Sequence, residues 1–188
     1  HFRYFYIMKI KYNNQNIDFS AALPQILQFG GTSMEIRMAK AQDVPGIIKL
    51  LQQVGRVHHE GRPDLFRSNA QKYGPSQVLE MLGKGDTPIF VAVEEDLVMG
   101  YGFCIMEQYR NHTVMNDRLT LYIDDMCVLE ECRGKHIGSA IYKKILEYAK
   151  WRGCYNVTLN VWSCNESAMK FYANMGLKPQ KVGMETIL

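Results

Sequence analysis

Two overlapping stretches of the chain carry residues able to do chemistry. One runs Met126-Cys127-Val128-Leu129-Glu130-Glu131-Cys132-Arg133-Gly134-Lys135-His136-Ile137-Gly138-Ser139-Ala140. An apolar strand passes there through a glycine-containing turn into a long helical pattern. The first amides of a helix have no internal partners, and its dipole adds roughly half a positive charge. Gly134 and Gly138 permit close backbone approach, while Arg133 and Lys135 add charge. The turn therefore suits an anion, a pyrophosphate above all. It equally suits an ordinary strand–turn–helix junction. The other stretch, Tyr122-Ile123-Asp124-Asp125-Met126-Cys127-Val128, sets two carboxylates in an otherwise apolar strand. Such groups can accept a proton from a reacting amine or simply hold a cross-strand partner. Strand alternation puts Tyr122, Asp124 and Met126 on one face and Asp125 and Cys127 on the other, so only one carboxylate should face a substrate.

Other candidates are weaker. His58-His59-Glu60-Gly61-Arg62-Pro63-Asp64-Leu65-Phe66 reads as a polar loop with two histidines. No third ligand stands at a suitable spacing, so no metal is expected. Cys127 and Cys164 flank the chemical stretches, but nothing in the sequence lowers a thiol pKa, so no cysteine nucleophile is expected.

The elements that must position these groups follow from 188 residues, 47% apolar and 22% charged, with a net charge of +3. That composition is globular, and the charge excludes a strongly basic nucleic-acid binder. The odd count of five cysteines, without any Cys-x-x-Cys pair, points to reduced thiols and a cytoplasmic setting. No apolar run approaches the roughly 20 residues of a membrane-spanning helix. Residues 1–33 differ in composition and end in Gly30-Gly31-Thr32-Ser33. They are expected to be a leader or extension, with Met34 a candidate start and 34–188 the functional domain.

Within that domain strands and helices alternate. Strands are predicted over 34–39, 88–94, 99–108, 119–129 and 155–162, with a last one over 179–188. The second and third form a hairpin about Glu95-Asp96. Helices are predicted over about 44–57, capped by Asp43, over 75–82, over 136–152 and over 165–175. The pattern indicates an α/β (mixed α+β) domain with a mixed, twisted sheet.

The stretch from Arg133 to Gly138 resembles the pyrophosphate-binding motif of the GNAT superfamily of acyl-CoA-dependent N-acyltransferases, Arg/Gln-x-x-Gly-x-Gly/Ala. His136 stands where that motif usually has glycine. Further on, Asn165-Glu166-Ser167-Ala168-Met169-Lys170-Phe171-Tyr172-Ala173-Asn174-Met175-Gly176-Leu177 resembles the second signature, Asn-x-x-Ala-x-x-Phe-Tyr-x-x-x-Gly-Phe, with Leu177 for the final Phe. The two occur in the family's order and spacing. The strand around Asp124 is similar to that of the diamine acetyltransferase branch.

The resemblance implies a GNAT-like twisted mixed sheet with helices on both faces, and an acyl-CoA cleft where strand 119–129 splays from strand 155–162. It implies acetyl transfer from acetyl-CoA to the primary amine of a small cationic acceptor by direct attack, without a metal. It assigns acetyl-CoA contacts to Met126, Cys127, Val128, Arg133, Gly134, Lys135, His136, Ile137, Gly138, Ser139, Asn165 and Tyr172. Tyr172 would protonate the departing thiolate. Asp124 would be the base, with Asp125 second. His58, His59, Arg62 and Tyr122 would line the acceptor site. A homodimer is common in the family. The other readings are a protein N-terminal or lysine acetyltransferase and a non-catalytic acyl-CoA-binding module.

Overall fold

The computed structural model of the chain describes residues 23–29 and 32–188. Its six strands lie in the order of the sequence, β1 (Gln25–Phe29), β2 (Thr32–Met38), β3 (Ile89–Glu94), β4 (Leu97–Tyr109), β5 (Arg118–Val128) and β6 (Asn156–Leu159). Neighbours pair antiparallel except β5 and β6, which are parallel. The sheet is thus mixed, as expected.

The helices cover both faces. α1 (Val44–Gly61) and α2 (Pro75–Leu82) follow β2, and α3 (Ile137–Trp151) makes the crossover from β5 to β6 that a parallel pair requires. The first three helices bury their apolar stripes. Ile47, Leu50 and Leu51 of α1 and Val78 and Met81 of α2 pack on Val91, Val93, Tyr101, Phe103 and Cys127. Ile137, Ala140, Ile141, Ile145 and Tyr148 of α3 pack on Ile36, Phe90, Cys104, Leu121 and Ile123. The short α4 (Glu166–Asn174) leans on the α3 cluster through Phe171.

Four expectations need correction. α1 runs through Gly61, so His58 and His59 sit in its last turn rather than in a loop. Asp43 makes no side-chain cap bond to α1. Its carboxylate is drawn instead to Arg37, whose guanidinium grips both oxygens at 2.6 and 2.9 Å, and to the Lys40 amide at 2.7 Å. The strand expected over 155–162 shrinks to Asn156–Leu159, because its partner bends away beyond Ile123. No strand forms over 179–188. Pro179 lacks a donor, and Val182, Met184, Ile187 and Leu188 find no apolar surface and stay exposed. The expected leader lies mostly outside the described residues, but its Gln25–Phe29 pairs with β2 as the outermost strand.

The Arg37–Asp43 pair joins the end of β2 to the start of α1 and is almost fully buried, at 5% and 4% exposure. Removing one partner strands a buried charge. Asp43→Ala is therefore expected to lower unfolding free energy by about 3 kcal/mol in urea titrations. A loss below about 0.5 kcal/mol, the surface-pair range, would contradict this account.

Candidate active site

The site begins with an irregularity. β4 and β5 pair regularly from Tyr109↔Arg118 to Cys104↔Ile123, and then the register jumps so that Phe103 faces Asp125. Asp124 is left as an extra residue in β5. Such a bulge adds twist and bends its strand. Two effects are visible. The pairing of β5 with β6 stops at Ile123↔Leu159, so residues 124–128 keep β4 on one side and no strand on the other among the described residues. The alternation of side chains also switches. Leu121 and Ile123 pack in the α3 cluster, whereas Cys127, of the same parity, packs in the α1 cluster.

The switch overturns the expectation that only one carboxylate can face the site. Asp124 Oδ2 accepts a hydrogen bond from the Tyr73 hydroxyl at 2.6 Å, and Asp125 Oδ2 accepts one from the Tyr101 hydroxyl at 2.9 Å. Both tyrosine rings pack on Phe103, at 5.4 and 5.0 Å, within the α1 cluster. The two carboxylates therefore lie on one side of the sheet. Met126 and Val128 lean on the opposite, α3 cluster, so the expected grouping of Tyr122, Asp124 and Met126 is broken as well. Lys72 adds a cation, with Nζ 2.7 Å from Asp124 Oδ1 and 2.9 Å from the Asp124 carbonyl.

The electrostatics separate the groups. Burial pushes the Asp125 carboxyl above the usual carboxylate range, against the opposing pull of the Tyr101 hydrogen bond, Lys72 and His58. Burial, helped by Asp125, also raises the Tyr172 phenol far above its ordinary value. Tyr172 therefore stays protonated throughout the neutral range, as a proton donor must. Burial drives the Cys127 thiol up to about 12, which keeps it a neutral core group and not a nucleophile.

Beyond β5 the chain makes a single 3-10 turn, Glu130–Cys132, and enters α3. Gly134 has φ +77° and His136 φ +58°. The left-handed backbone favours glycine, and histidine is among the side chains that tolerate it best. His136 thus holds the turn that the usual glycine would make. The first internal bond of α3 runs from the Ala140 amide to the His136 carbonyl, so the amides of Ile137, Gly138 and Ser139 are those that a helix leaves without internal partners. A Cβ on Gly138 would stand 3.4 Å from the Phe171 ring and 3.5 Å from Val128 Cγ2, so α4 and β5 lie in van der Waals reach of this end of the helix. Arg133 is exposed and only 3.7 Å from Glu130. An open, basic, amide-lined turn of this kind fits a pyrophosphate.

Gln53, a buried polar residue that the sequence reading missed, ties the turn to α1. Its Nε2 donates to the Val128 carbonyl at 3.0 Å and to Cys127 Sγ at 3.2 Å, while its Oε1 accepts from the Glu130 amide at 3.2 Å. Lys72, Tyr73 and Tyr101 were missed too. The signal for Gln53 was a polar residue beside the apolar stripe of α1, whereas the loop lysine had none.

A cavity of about 370 Å³ opens between the end of α1 and the start of α4, lined by His58, Phe66, Trp162, Asn165 and Glu166 among others. His58, Phe66 and Trp162 touch in sequence, the first pair tilted and the second edge to face, with centroids 4.9 and 5.2 Å apart. Of the expected acceptor residues, only His58 lines it. His59 Nδ1 lies 2.8 Å from the Phe66 carbonyl, Arg62 pairs with Asp64 and Glu185, and Tyr122 lines a separate polar cavity. Asn165 caps α4, accepting from the Ala168 amide at 3.1 Å. No group of three metal-ligating side chains occurs among the described residues.

The family model described as the acetyltransferase (GNAT) family matches residues 56–177. The chain is 28% identical to thialysine N-epsilon-acetyltransferase of Bos taurus over 152 residues, covering 75% of this chain and 82% of that protein. Its fold superposes on a tetramutant of the BH1408 protein of Bacillus halodurans with TM-score 0.78 and 34% identity, covering 81% of this chain and 99% of that one. It also superposes on aminoglycoside N-acetyltransferase AAC(6')-Iy in complex with CoA, with TM-score 0.64 over 86% of this chain and 99% of that one. At 15% identity that likeness is one of fold.

A raised carboxyl pKa in the fold means that ionised Asp125 costs stability. Wild-type protein should lose that increment as pH rises from about 4 through the raised value. Asp125→Asn keeps an acceptor for Tyr101 and removes the charge. Its melting temperature relative to wild type should therefore rise as pH climbs above about 4 and level off once the raised value is passed. A pH-independent difference would contradict the assignment.

Proposed function

The chain belongs to the acetyltransferase (GNAT) family and is an N-acetyltransferase, and from that premise we propose that it moves the acetyl group of acetyl-CoA to the primary amine of a small cationic acceptor. The observation that carries the acceptor class is the pair of carboxylates on one side of the sheet, at the point where β5 parts from β6. Relatives named for thialysine acetylation support a small amine.

In this reading the basic turn from Arg133 to Ser139 holds the pyrophosphate. The edge of β5 at Met126–Val128, which has no strand on the side away from β4 among the described residues, faces the pantetheine arm, and Asn165 adds a side-chain contact. Gln53 fixes the height of that edge against α1. The chain thereby presents the thioester beside Asp124 and Asp125, and much of the rate comes from that placement. A backbone amide near Val128 polarises the acetyl carbonyl. The acceptor enters through the cavity at His58, Phe66 and Trp162, whose aromatic walls suit a cation-bearing chain.

Asp124 draws a proton from the ammonium, so that the nitrogen lone pair can attack the carbonyl carbon. The carbon–sulfur bond then breaks with its electron pair on sulfur. Tyr172, held protonated by its burial, gives its proton to that thiolate and is reprotonated through water by the second nitrogen proton, which leaves as the amide forms; the proton on Asp124 passes to solvent. No cysteine acts, since Cys127 is a buried thiol with a raised pKa.

Tyr172→Phe removes only the proton. Its kcat with acetyl-CoA and a diamine should fall about 100-fold, while calorimetric affinity for acetyl-CoA stays within about twofold. Unchanged turnover would remove Tyr172 from the role of acid, and lost acetyl-CoA binding would make it a binding residue.

A further inference from the structure

Lys72 makes the contacts expected of a bound acceptor. Its ammonium reaches the Asp124 carboxylate at 2.7 Å and the Asp124 backbone carbonyl at 2.9 Å, at the bulge itself. Other lysines with carboxylate partners differ in kind. Lys84 and Lys170 pair with Glu80 and Glu166 one helical turn away, with both partners exposed, a pairing of little energetic weight, and the buried Lys144 stands 3.5 Å from the exposed Glu147 on its own helix. The Asp124 side chain is only 10% exposed, while that of Lys72 is 44% exposed and reaches inward.

The loop that carries Lys72 is fastened on three sides. A Cβ on Gly55 of α1 would overlap the Ala70 carbonyl oxygen, so glycine there lets the loop lie directly on the helix. Gln52 Nε2 donates to Gln71 Oε1 at 3.2 Å, and Gln71 Nε2 donates to the Tyr73 carbonyl at 3.3 Å. The Tyr73 hydroxyl holds the other oxygen of Asp124. Lys72 therefore stands between two anchored neighbours and is aimed at one carboxylate.

We propose that Lys72 is an acceptor built into the chain, acetylated in cis at the Asp124 site when acetyl-CoA is bound. The inference rests on the acetyl-transfer reading above and adds a modification site to it. The Lys72 ammonium yields one proton to the Asp124 carboxylate. Its nitrogen forms the bond to the acetyl carbon as the carbon–sulfur bond breaks. Tyr172 protonates the sulfur and is reprotonated by the second nitrogen proton through water. The products are Nε-acetyl-lysine, the CoA thiol and one proton released to solvent. The modified side chain has no charge, so Asp124 loses its internal cation and opens to an external amine.

The test incubates the full chain with acetyl-CoA and no amine, then follows acetylation of each lysine by peptide mass spectrometry. Lys72 should be acetylated more than about tenfold faster than Lys84 or Lys170, through its placement at the Asp124 carboxylate. Asp124→Asn should bring Lys72 down to the rate of those surface lysines, and added 1,4-diaminobutane should slow Lys72 in wild-type protein. Acetylation of the diamine with Lys72 at the surface rate would overturn this proposal and leave the acetyl-transfer reading standing. Equal Lys72 rates in wild type and Asp124→Asn, at unchanged acetyl-CoA affinity, would overturn it as well. Failure to bind acetyl-CoA or to acetylate any amine would overturn both.

Discussion

Much of this molecule follows from one extra residue in one strand. The register jump between Phe103 and Cys104 leaves Asp124 without a cross-strand counterpart. A bulge concentrates twist and bends its strand, and here the bend parts β5 from β6 after Ile123↔Leu159. A regular strand would have continued the parallel ladder and satisfied its backbone within the sheet. The bulged strand instead presents an open edge beside two carboxylates that a strict two-residue alternation would have set on opposite faces.

That opening needs support, because a parted strand end has lost one neighbour's hydrogen bonds. Gln53 supplies part of it by bonding the Val128 carbonyl and the Glu130 amide from α1. The close seating of Phe171 and Val128 against Gly138 supplies more from α3 and α4. On the other side, Tyr73 and Tyr101 lock the two carboxylates into the α1 cluster. The two carboxylates thus sit on a packed strand, whereas the cavity walls come from the last turn of α1 (His58) and from the loops after α1 and β6 (Phe66 and Trp162), where side chains can vary without disturbing the sheet.

The sequence made the elements and the basic turn legible because both have strong local signals. The apolar stripe of α3 and the glycines at 134 and 138 depend on spacing alone. The bulge had no such signal. Tyr122 to Val128 reads as an ordinary strand, and the register of its pairing with β4 is a tertiary property. The face of Asp124 was misassigned for that reason. Asp43 does stand at the start of α1, but its carboxylate serves Arg37 and the Lys40 amide instead of the amides of α1, a preference set by the tertiary position of Arg37. Lys72 and Tyr73 lie in an irregular loop, where sequence periodicity says nothing about direction. The tail after α4 carried a strand-like pattern but does not pair with the outer edge of β6.

In the proposed function the open edge of β5 and the basic turn act together as the acetyl-CoA seat. The most direct measurement is a titration of acetyl-CoA into isotopically labelled protein, with backbone amide resonances followed residue by residue. The largest shifts should fall on Met126–Val128 and on Lys135–Ser139, with smaller ones at Asn165 and Tyr172. Shifts confined to the polar cavity around Tyr109, Arg118 and Lys181, or spread evenly over the surface, would contradict it.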